Sequence, residues 1–252
     1  MKLFTSLFIL LLVSAIAAIA YYSVYPDVSR LKKFNPRKTA FMEYREREWQ
    51  CKGKKVRIQQ KWVNFSHISP YAAKAVIIAE DDKFWSHRGF DLEAIEKAME
   101  KDLKEGRFAR GGSTISQQLV KNLYLSPSRN PLRKLAEALI TWRMEKTLSK
   151  RRIIELYLNV AEWGEAIFGV EAASLHYYGK SSALLSPEEA ARLAAVLPNP
   201  RRYAVNGDSR YVKKRASLIY NIMVKRGIVV EDYEDAAKEP GQPLPAQEEE
   251  NP

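Results

Sequence analysis

Twenty residues near the N-terminus, Leu3 to Tyr22, carry no charged side chain and consist mainly of Leu, Ile, Ala, Phe and Val. A helix of about this length crosses a hydrocarbon core of roughly 30 Å. Tyr21, Tyr22 and Tyr25 suit the aromatic belt that forms at a membrane interface. The sequence therefore predicts a transmembrane anchor over residues 1–25.

A cleaved signal peptide is the alternative for this run, because Ala18-Ile19-Ala20 resembles a small-residue cleavage site. The run exceeds the roughly 7–15 residues of a usual signal core, which favours an uncleaved anchor. The charges beside it conflict with an external domain. Lys2 is the only basic side chain before the run, and five come after it: Arg30, Lys32, Lys33, Arg37 and Lys38. A count of positive charges alone places the domain in the cytoplasm.

The length and charge of the chain limit the kind of domain that the anchor can carry. The 252 residues allow one ordinary domain with a small appendage, and a single cysteine, Cys51, excludes an intrachain disulfide. A formal net charge of +11 indicates an anionic partner, which is nucleic acid, acidic lipid headgroups or a phosphorylated substrate. We predict a basic linker over 26–43, a domain over 44–238 and a disordered tail over 239–252.

The fold class predicted for the domain is mainly α. The predicted helix starts and spans are Ser69-Pro70, Asp91, Asn130-Pro131, residues 150–159, the capping box Ser186-Pro187-Glu188-Glu189, and residues 209–226. The apolar residues expected to face the core are Leu92, Ile95 and Met99, then Leu132, Leu135, Ala136, Leu139 and Ile140, and finally Leu218, Ile219, Ile222 and Met223. Alternating residues over 54–63 predict a short strand or a hairpin near Gly53.

Three consecutive acids, Glu80-Asp81-Asp82, close the first helix of the domain. Acids at a helix C-terminus oppose its dipole, at roughly 0.3–1 kcal/mol each. A local rule broken without visible compensation is typical of a functional site. The alternative is a solvated acidic loop.

A glycine- and hydroxyl-rich run spans Gly111 to Gln118. Its two glycines allow close backbone approach, and Ser113, Thr114, Gln117 and Gln118 offer donors and acceptors to a hydroxyl-rich ligand. The alternative is a capped start of a helix.

A cationic group comes next, formed by Lys121, Arg129, Arg133 and Lys134. Basic side chains beside a helix N-terminus form a good diphosphate site. Because Glu137 lies one turn beyond Arg133, the alternative is an i,i+4 ion pair worth a few tenths of a kcal/mol.

Taken in order, these segments resemble the signature motifs of the peptidoglycan glycosyltransferases, glycosyltransferase family 51, over about residues 65–205. The matching residues are Glu80-Asp81, Phe84, His87 and Gly89, then Gly111 to Gln118, then Arg133-Lys134 and Glu137, then Lys150, Ile153-Ile154-Glu155 and Tyr157-Leu158-Asn159, and finally Gly169 to Ala173 with Tyr177 to Lys180. The chain most resembles the monofunctional biosynthetic transglycosylases of Gram-negative bacteria. Tyr178 stands where the family usually has Phe.

The resemblance implies a lysozyme-like fold and a reaction that polymerises lipid II into β-1,4 glycan with inversion, releasing undecaprenyl diphosphate. In that reaction Glu80 matches the general base, with a pKa that neighbouring Asp81 helps to raise. The four cations would stabilise the leaving diphosphate. Glu137 matches the second glutamate, which orients these cations or coordinates a divalent metal, Mg²⁺ or Mn²⁺; no organic cofactor is implied.

The other residues and the partners are implied by the same resemblance. Ser113, Thr114, Gln117 and Gln118 would position sugars, whereas His87, Glu155 and Asn159 would be architectural. The implied partners are lipid II, the nascent glycan chain, the membrane and other cell-wall synthesis proteins, with no nucleic acid. Lipid II is consumed on the outer face of the inner membrane, so the domain is expected in the periplasm despite the adjacent positive charge. Phe84, Trp85, Phe90 and Phe108 suit either an interfacial patch or core packing.

Two other functions stay open from the sequence. A lysozyme-like fold also serves glycan-cleaving enzymes, although these have no diphosphate to bind and need no cationic group. The non-enzymatic alternative is a basic, anchored scaffold of the cell-wall machinery.

Overall fold

The computed structural model describes residues 2–105, 112–125, 127 and 131–229, without the side chains at positions 2, 3, 5, 7, 8, 11, 12, 101–105 and 131. Helices dominate these ranges, so the predicted mainly α class is confirmed. The α-helices are α1 Lys2–Val24, α2 Ala40–Cys51, α3 Pro70–Glu80, α4 Leu92–Glu105, α5 Ile115–Tyr124, α6 Pro131–Thr147, α7 Lys150–Val160, α8 Val170–Tyr178, α9 Pro187–Val196 and α10 Arg210–Lys225. The predicted tail, 239–252, lies outside the described residues.

A small sheet lies beside the helices. It contains β1 Gln59–Gln60, β2 Glu162–Gly164 and β3 Ile167–Phe168 in the order β1-β3-β2, with β1 parallel and β2 antiparallel to β3. The short strand predicted within 54–63 is therefore present, but no hairpin forms at Gly53. Gly53 has a φ of 67° just after the end of α2, where a residue without a Cβ is favoured.

The main core lies where α3, α5, α7, α9 and α10 pack together. The central helix α7 is buried along one whole face by residues such as Ile153, Ile154 and Leu158. α5 packs on α7, and α3 packs on α9 and α10. This packing brings the C-terminal end of α3, the start of α5 and the middle of α7 close enough to be joined by hydrogen bonds.

The predicted helix starts are largely correct because their capping groups are used. Asp91 accepts a hydrogen bond from Ala94 N at 3.0 Å, and Ser186 and Glu189 form the predicted capping box. Ser69 stands at the N-cap of α3, yet its hydroxyl donates to Leu185 O at 2.9 Å instead of capping the helix. That contact ties α3 to the turn before α9.

Several apolar residues predicted to face the core are exposed instead. Leu92 and Met99 on α4 are 75% and 60% exposed, and Ile95 is half-buried. On α10 Leu218 is exposed, whereas Ile219 and Met223 are buried and Ile222 is half-buried. The spacing of apolar residues predicts which face of a helix turns toward the core. The neighbouring helices decide which residues at the border of that face are covered.

Helix α6 shows the same error with a different cause. Ala136 and Ile140 are buried and Leu139 is half-buried as predicted, but Leu132 and Leu135 remain exposed. The buried position between them and Ile140 is taken by an acid, Glu137, which is only 2% exposed. The inward face of α6 therefore carries a buried acid between Ala136 and Ile140.

The N-terminal helix α1 packs against α6. Arg143 of α6 donates to the backbone oxygens of Tyr22 at 3.1 Å and Val24 at 2.6 Å, which satisfies carbonyls left free at the end of α1. In the next segment, Val28 and Leu31 are buried in the main core, and α2 extends across the predicted boundary between residues 43 and 44. In the described part of the chain, no helix is both long enough and apolar enough to cross a membrane.

Candidate active site

Each acid of Glu80-Asp81-Asp82 meets a partner from a distant part of the chain. Asp82 forms a bidentate ion pair with Arg226, at 2.6 and 2.8 Å, just beyond α10. Asp81 and Glu80 turn inward, toward α5. The unfavourable position of these acids at the end of α3 is thus compensated by tertiary contacts that the local sequence does not reveal.

Glu80 is held by a short chain of hydrogen bonds. Gln118 Nε2 donates to Glu80 Oε2 at 2.9 Å, and the Tyr157 hydroxyl donates to Gln118 Oε1 at 3.0 Å. On the other side, Arg215 Nη2 donates to Ala79 O at 2.8 Å and lies 3.5 Å from Glu80 Oε1. The Glu80 side chain keeps 11% of its surface exposed. It is a fixed carboxylate with a small opening to solvent.

The pKa of Glu80 is raised above its ordinary value, chiefly because burial disfavours the charged form. Hydrogen bonding by Gln118 and the charges of Arg215 and Lys121 lower the pKa in opposition, and the charge of Asp81 adds a smaller upward contribution. The predicted direction is confirmed, but desolvation rather than Asp81 is the leading cause. A carboxylate whose pKa moves toward neutral is better matched to proton abstraction.

Asp81 joins the end of α3 to the start of α5. One of its oxygens accepts from Ile115 N at 2.9 Å, and the other lies 2.8 Å from His87 Nε2. The Gly89 N–H donates to His87 Nδ1 at 3.1 Å, so Nε2 of the neutral ring carries the proton and donates it to Asp81. His87 therefore positions backbone and carboxylate and keeps neither ring nitrogen free.

The run at Gly111–Gln118 serves partly as a helix start. Thr114 Oγ1 accepts from Gln117 N at 3.2 Å, and Gln117 Oε1 accepts from Thr114 N at 3.0 Å, which is a capping box. Both side chains are buried, and Thr114 Oγ1 also donates to Gly89 O at 2.7 Å. Gln118 instead turns toward Glu80, and Ser113 is exposed. Gly111 lies outside the described residues.

The cations gather between Glu80 and Glu137. Lys121, one turn after Gln118 on α5, interacts electrostatically with both glutamates and with Arg133 and Lys134. Burial lowers its pKa, and the two neighbouring cations lower it further, while the glutamates raise it. Across the described ranges, no carboxylate oxygen lies within the 4.0 Å ion-pair distance of Lys121 Nζ. Arg129 lies outside the described residues.

Glu137 is neutralised by its own helix. Arg133 Nη1 lies 3.1 Å from Glu137 Oε2, and Lys134 Nζ binds the other carboxylate oxygen. The simple i,i+4 pair is therefore present, but it is not a surface pair, because Glu137 is buried. The acid holds two cations in fixed positions facing Lys121.

The described residues do not form a metal site by themselves, since no group of three His, Cys, Asp or Glu side chains within them can hold an ion. Both carboxylate oxygens of Glu137 are engaged by Arg133 and Lys134. The positive charge at Glu137 is supplied by these two basic side chains.

Glu155 and Asn159 hold the chain before α3 against α7. Asn159 accepts from Val63 N and donates to Val63 O, both at 2.9 Å, and so replaces a backbone pairing. Glu155 accepts from Phe65 N at 3.2 Å. Tyr157, between them in sequence, points instead toward Gln118. Helix α7 thus fixes the segment before α3 and also contributes Tyr157 to the chain of hydrogen bonds that ends at Glu80.

Two residues that hold Glu80 are not predicted as site residues from the sequence, Arg215 and Tyr157. A signal for Arg215 exists in α10, where it lies among the buried residues Val212, Ala216 and Ile219 and has no acid three or four positions away. A cation on the buried face of a helix, with no acid nearby in the sequence, predicts an ion pair with a carboxylate from a distant part of the chain. It does not say which one.

We expect Arg215→Met to shift the pH dependence of turnover without abolishing it. The charge of Arg215 lowers the pKa of Glu80, so its removal raises that pKa further, and the acid limb of kcat/KM should move to higher pH. Turnover on the acid side of the limb should fall several-fold, because a smaller fraction of Glu80 is then ionised at a given pH. Rate–pH profiles of both enzymes measure the shift. Arg226→Met, which breaks the exposed pair with Asp82, is the matched control, and an unshifted limb in Arg215→Met would contradict the assignment.

A buried carboxylate held beside a cluster of cations in a helical domain suits group transfer with an anionic leaving group. A comparison with family profiles matches residues 50–224 to the family described as Transglycosylase. The chain belongs to this family, so the resemblance inferred from the motifs is confirmed.

Full-length relatives agree with the family assignment. A biosynthetic peptidoglycan transglycosylase of Nitrosospira multiformis is 46% identical over 214 residues, which cover 85% of this chain and 93% of that protein. Proteins of the same name from Dechloromonas aromatica and Aromatoleum aromaticum are each 50% identical, over 73% and 77% of this chain and 80% and 85% of their own length.

Proposed function

We propose that this chain is a peptidoglycan glycosyltransferase that polymerises lipid II into β-1,4 glycan strands during bacterial cell-wall synthesis. The observation that carries the proposal is the position of Lys121, which interacts with the buried base Glu80 on one side and with Glu137, Arg133 and Lys134 on the other. A base that lies close enough to a cluster of cations to interact with their charges suits a reaction that deprotonates an alcohol and expels a diphosphate. The transglycosylase family and the names of the relatives support this activity.

The proposed step is a direct displacement. Glu80 removes the proton from the 4-hydroxyl of the acceptor sugar as its oxygen bonds to the anomeric carbon of the lipid-linked chain. The bond from that carbon to the diphosphate breaks, and its electron pair leaves with undecaprenyl diphosphate. Inversion results because attack and departure occur on opposite faces. Gln118, Tyr157 and Arg215 keep Glu80 oriented, while Lys121, Arg133 and Lys134 receive the growing negative charge.

The site argues against hydrolysis of finished glycan as the main activity. Cleavage of a glycosidic bond leaves a neutral alcohol, for which three convergent cations give no benefit. The experiment is incubation of detergent-solubilised full-length protein with labelled lipid II and, in parallel, with isolated sacculi. Polymer from lipid II is the expected result. Soluble muropeptides from sacculi without polymer would overturn the proposal in favour of a hydrolase.

We further propose that α1 anchors the domain at the outer face of the inner membrane, with a lysozyme-like catalytic domain in the periplasm. The uncharged run from Leu3 to Tyr22 supports this, as does the bonding of Arg143 to the end of α1. Exposed Leu132 and Leu135 lie on α6, the helix against which α1 packs, and add apolar surface to that helix. Long domains translocate despite adjacent positive charge, which accommodates the basic residues after the run.

The anchor is tested by the intact mass of protein extracted from membranes. Retention of residues 1–25 is expected, and a mature chain starting at Tyr21 would make the segment a cleaved signal peptide. The orientation is tested with a C-terminal reporter that functions only in the cytoplasm. Activity of this reporter would overturn the proposed orientation.

A further inference from the structure

A cavity lies on the C-terminal half of α6, apart from Glu80 and Glu137. Its volume is about 600 Å³, and its walls come from residues 85–88, the end of α6 and the start of α7. Lys146 lies nine residues after Glu137, so a rise of roughly 1.5 Å per residue places it about 13 Å further along the helix. The cavity is thus separate from the proposed diphosphate site.

Two tryptophans flank this cavity and both are unusually exposed. Trp85 is 55% exposed and Trp142 is 51% exposed, whereas Trp49 and Trp163 are fully buried. Phe84, beside Trp85, is also buried, so the aromatic residues of this region divide into core and surface. Tryptophan combines a broad apolar face with one N–H donor, which suits the boundary between lipid and water.

The charges of the cavity are uneven. Glu145 at its wall is bound by Lys150 at 2.8 Å and accepts from the Ser116 hydroxyl, so this acid is neutralised. Arg88 and Lys146 are exposed, and no carboxylate of the described residues lies within 4.0 Å of either cation. Lys146 instead lies over the Trp142 ring at 3.8 Å. The cavity therefore presents two cations that remain available to an anion.

The level of the cavity relative to α1 is fixed by a neighbouring residue. Arg143, next to Trp142 on α6, holds the backbone oxygens of Tyr22 and Val24. If α1 anchors the domain in the membrane as proposed, its end marks the headgroup region, and the cavity lies at that level. Phosphate groups of phospholipids occupy this zone, where each basic residue near an anionic surface contributes to binding.

We propose that this cavity binds the headgroup of an anionic phospholipid, with Arg88 and Lys146 on the phosphate and Trp85 and Trp142 against the glycerol region. The proposal rests on the proposed membrane anchoring. A bound lipid here would be a second point of attachment beside α1 and would limit tilting of the domain, so Glu80 would stay at a constant height above the bilayer.

The test uses full-length protein in vesicles of phosphatidylcholine and phosphatidylglycerol in equal amounts. A quenching spin label near the top of the acyl chain is placed on one lipid or, in a second sample of the same composition, on the other. We expect stronger quenching of tryptophan fluorescence by labelled phosphatidylglycerol. In Arg88→Ala/Lys146→Ala the difference should disappear, because each cation is worth roughly fivefold in binding at an anionic surface. Arg47→Ala/Arg202→Ala, which removes two exposed cations elsewhere, should keep it.

The outcomes separate this proposal from the anchoring on which it rests. Equal quenching by the two labels in the native protein would overturn the preference for an anionic headgroup. Absence of quenching in protein that remains in the vesicles through carbonate washing would show that the cavity faces away from lipid, while anchoring stands. Protein lost on washing would remove the anchor itself. Shielding of the same tryptophans by soluble glycan strands in detergent would assign the cavity to glycan and overturn the lipid proposal.

Discussion

Glu80→Gln should polymerise lipid II at least about 10²-fold more slowly than the native enzyme, the low end for removal of a general base. The amide keeps the size of the side chain and can still accept from Gln118 Nε2, so the chain of bonds to Tyr157 remains. The substitution removes the negative charge and with it the ability to take a proton. Initial rates with labelled lipid II at saturating concentration measure the effect.

Folding should not account for this loss. Burial raises the pKa of Glu80, which means that the folded state binds this proton more tightly than the unfolded chain does. The contribution of Glu80 to stability is then present below its unfolded pKa and is lost as pH rises through the higher folded pKa. At neutral pH the charged side chain is a cost that Gln removes, so the melting temperature should stay the same or rise slightly.

Asp82→Asn is the matched control for Glu80→Gln. It removes an acid two positions away whose pKa the Arg226 guanidinium lowers by hydrogen bonding. That pair is half-exposed, so its loss should cost no more than about 1 kcal/mol of stability. Turnover should remain within a few-fold of the native rate. Similar losses in the two variants would mean that the acidic segment acts through structure and that Glu80 is not the base.

The residues of the candidate site are accessible from sequence because the chemistry is concentrated in short segments. Glu80 follows from acids at a helix end, Gln118 from a glycine- and hydroxyl-rich run, and Lys121 and Glu137 from a dense group of charges. Helix caps such as Asp91 and Ser186 are equally accessible, because a cap is a relation between residues a few positions apart. Local patterns therefore locate the helix starts and suggest candidate site residues, whereas the roles of those residues come from the family resemblance.

Partners across the fold are not accessible in the same way. Arg215 reaches Glu80 from α10, and Asp81 reaches Ile115 N, both over long separations in the chain. The sequence allows Thr114 and Gln117 either to contact sugars or to cap a helix, and only the geometry shows that their polar atoms are engaged in a capping box. Leu132 and Leu218 are exposed for a related reason. The periodicity of apolar residues within a helix does not show how far a neighbouring helix extends over it.

Lys121→Ala should lower kcat by about 10²–10³, the usual effect of removing one group that stabilises charge in the transition state. KM should change little, because the negative charge on the leaving diphosphate grows as its bond to the sugar breaks. Burial lowers the pKa of Lys121, so its charge costs the folded state free energy, and alanine is favourable in a helix. The variant should fold. Arg133→Ala is a poorer choice, because it would leave buried Glu137 with one cation fewer.

Lys121 has two effects that pH can separate. Its charge also lowers the pKa of Glu80, so part of the loss in Lys121→Ala comes from a base that is protonated more often. Raising the pH restores the carboxylate and should recover that part, as it should in Arg215→Met. The part due to the leaving group persists at every pH at which Lys121 of the native enzyme stays charged, because no other group replaces the missing cation. Full rate–pH profiles of Lys121→Ala, Lys121→Arg and Arg215→Met are the measurement, with the arginine variant expected to retain much of the activity. Complete recovery of Lys121→Ala at high pH would reduce Lys121 to a tuner of Glu80 and would remove the diphosphate site from the mechanism.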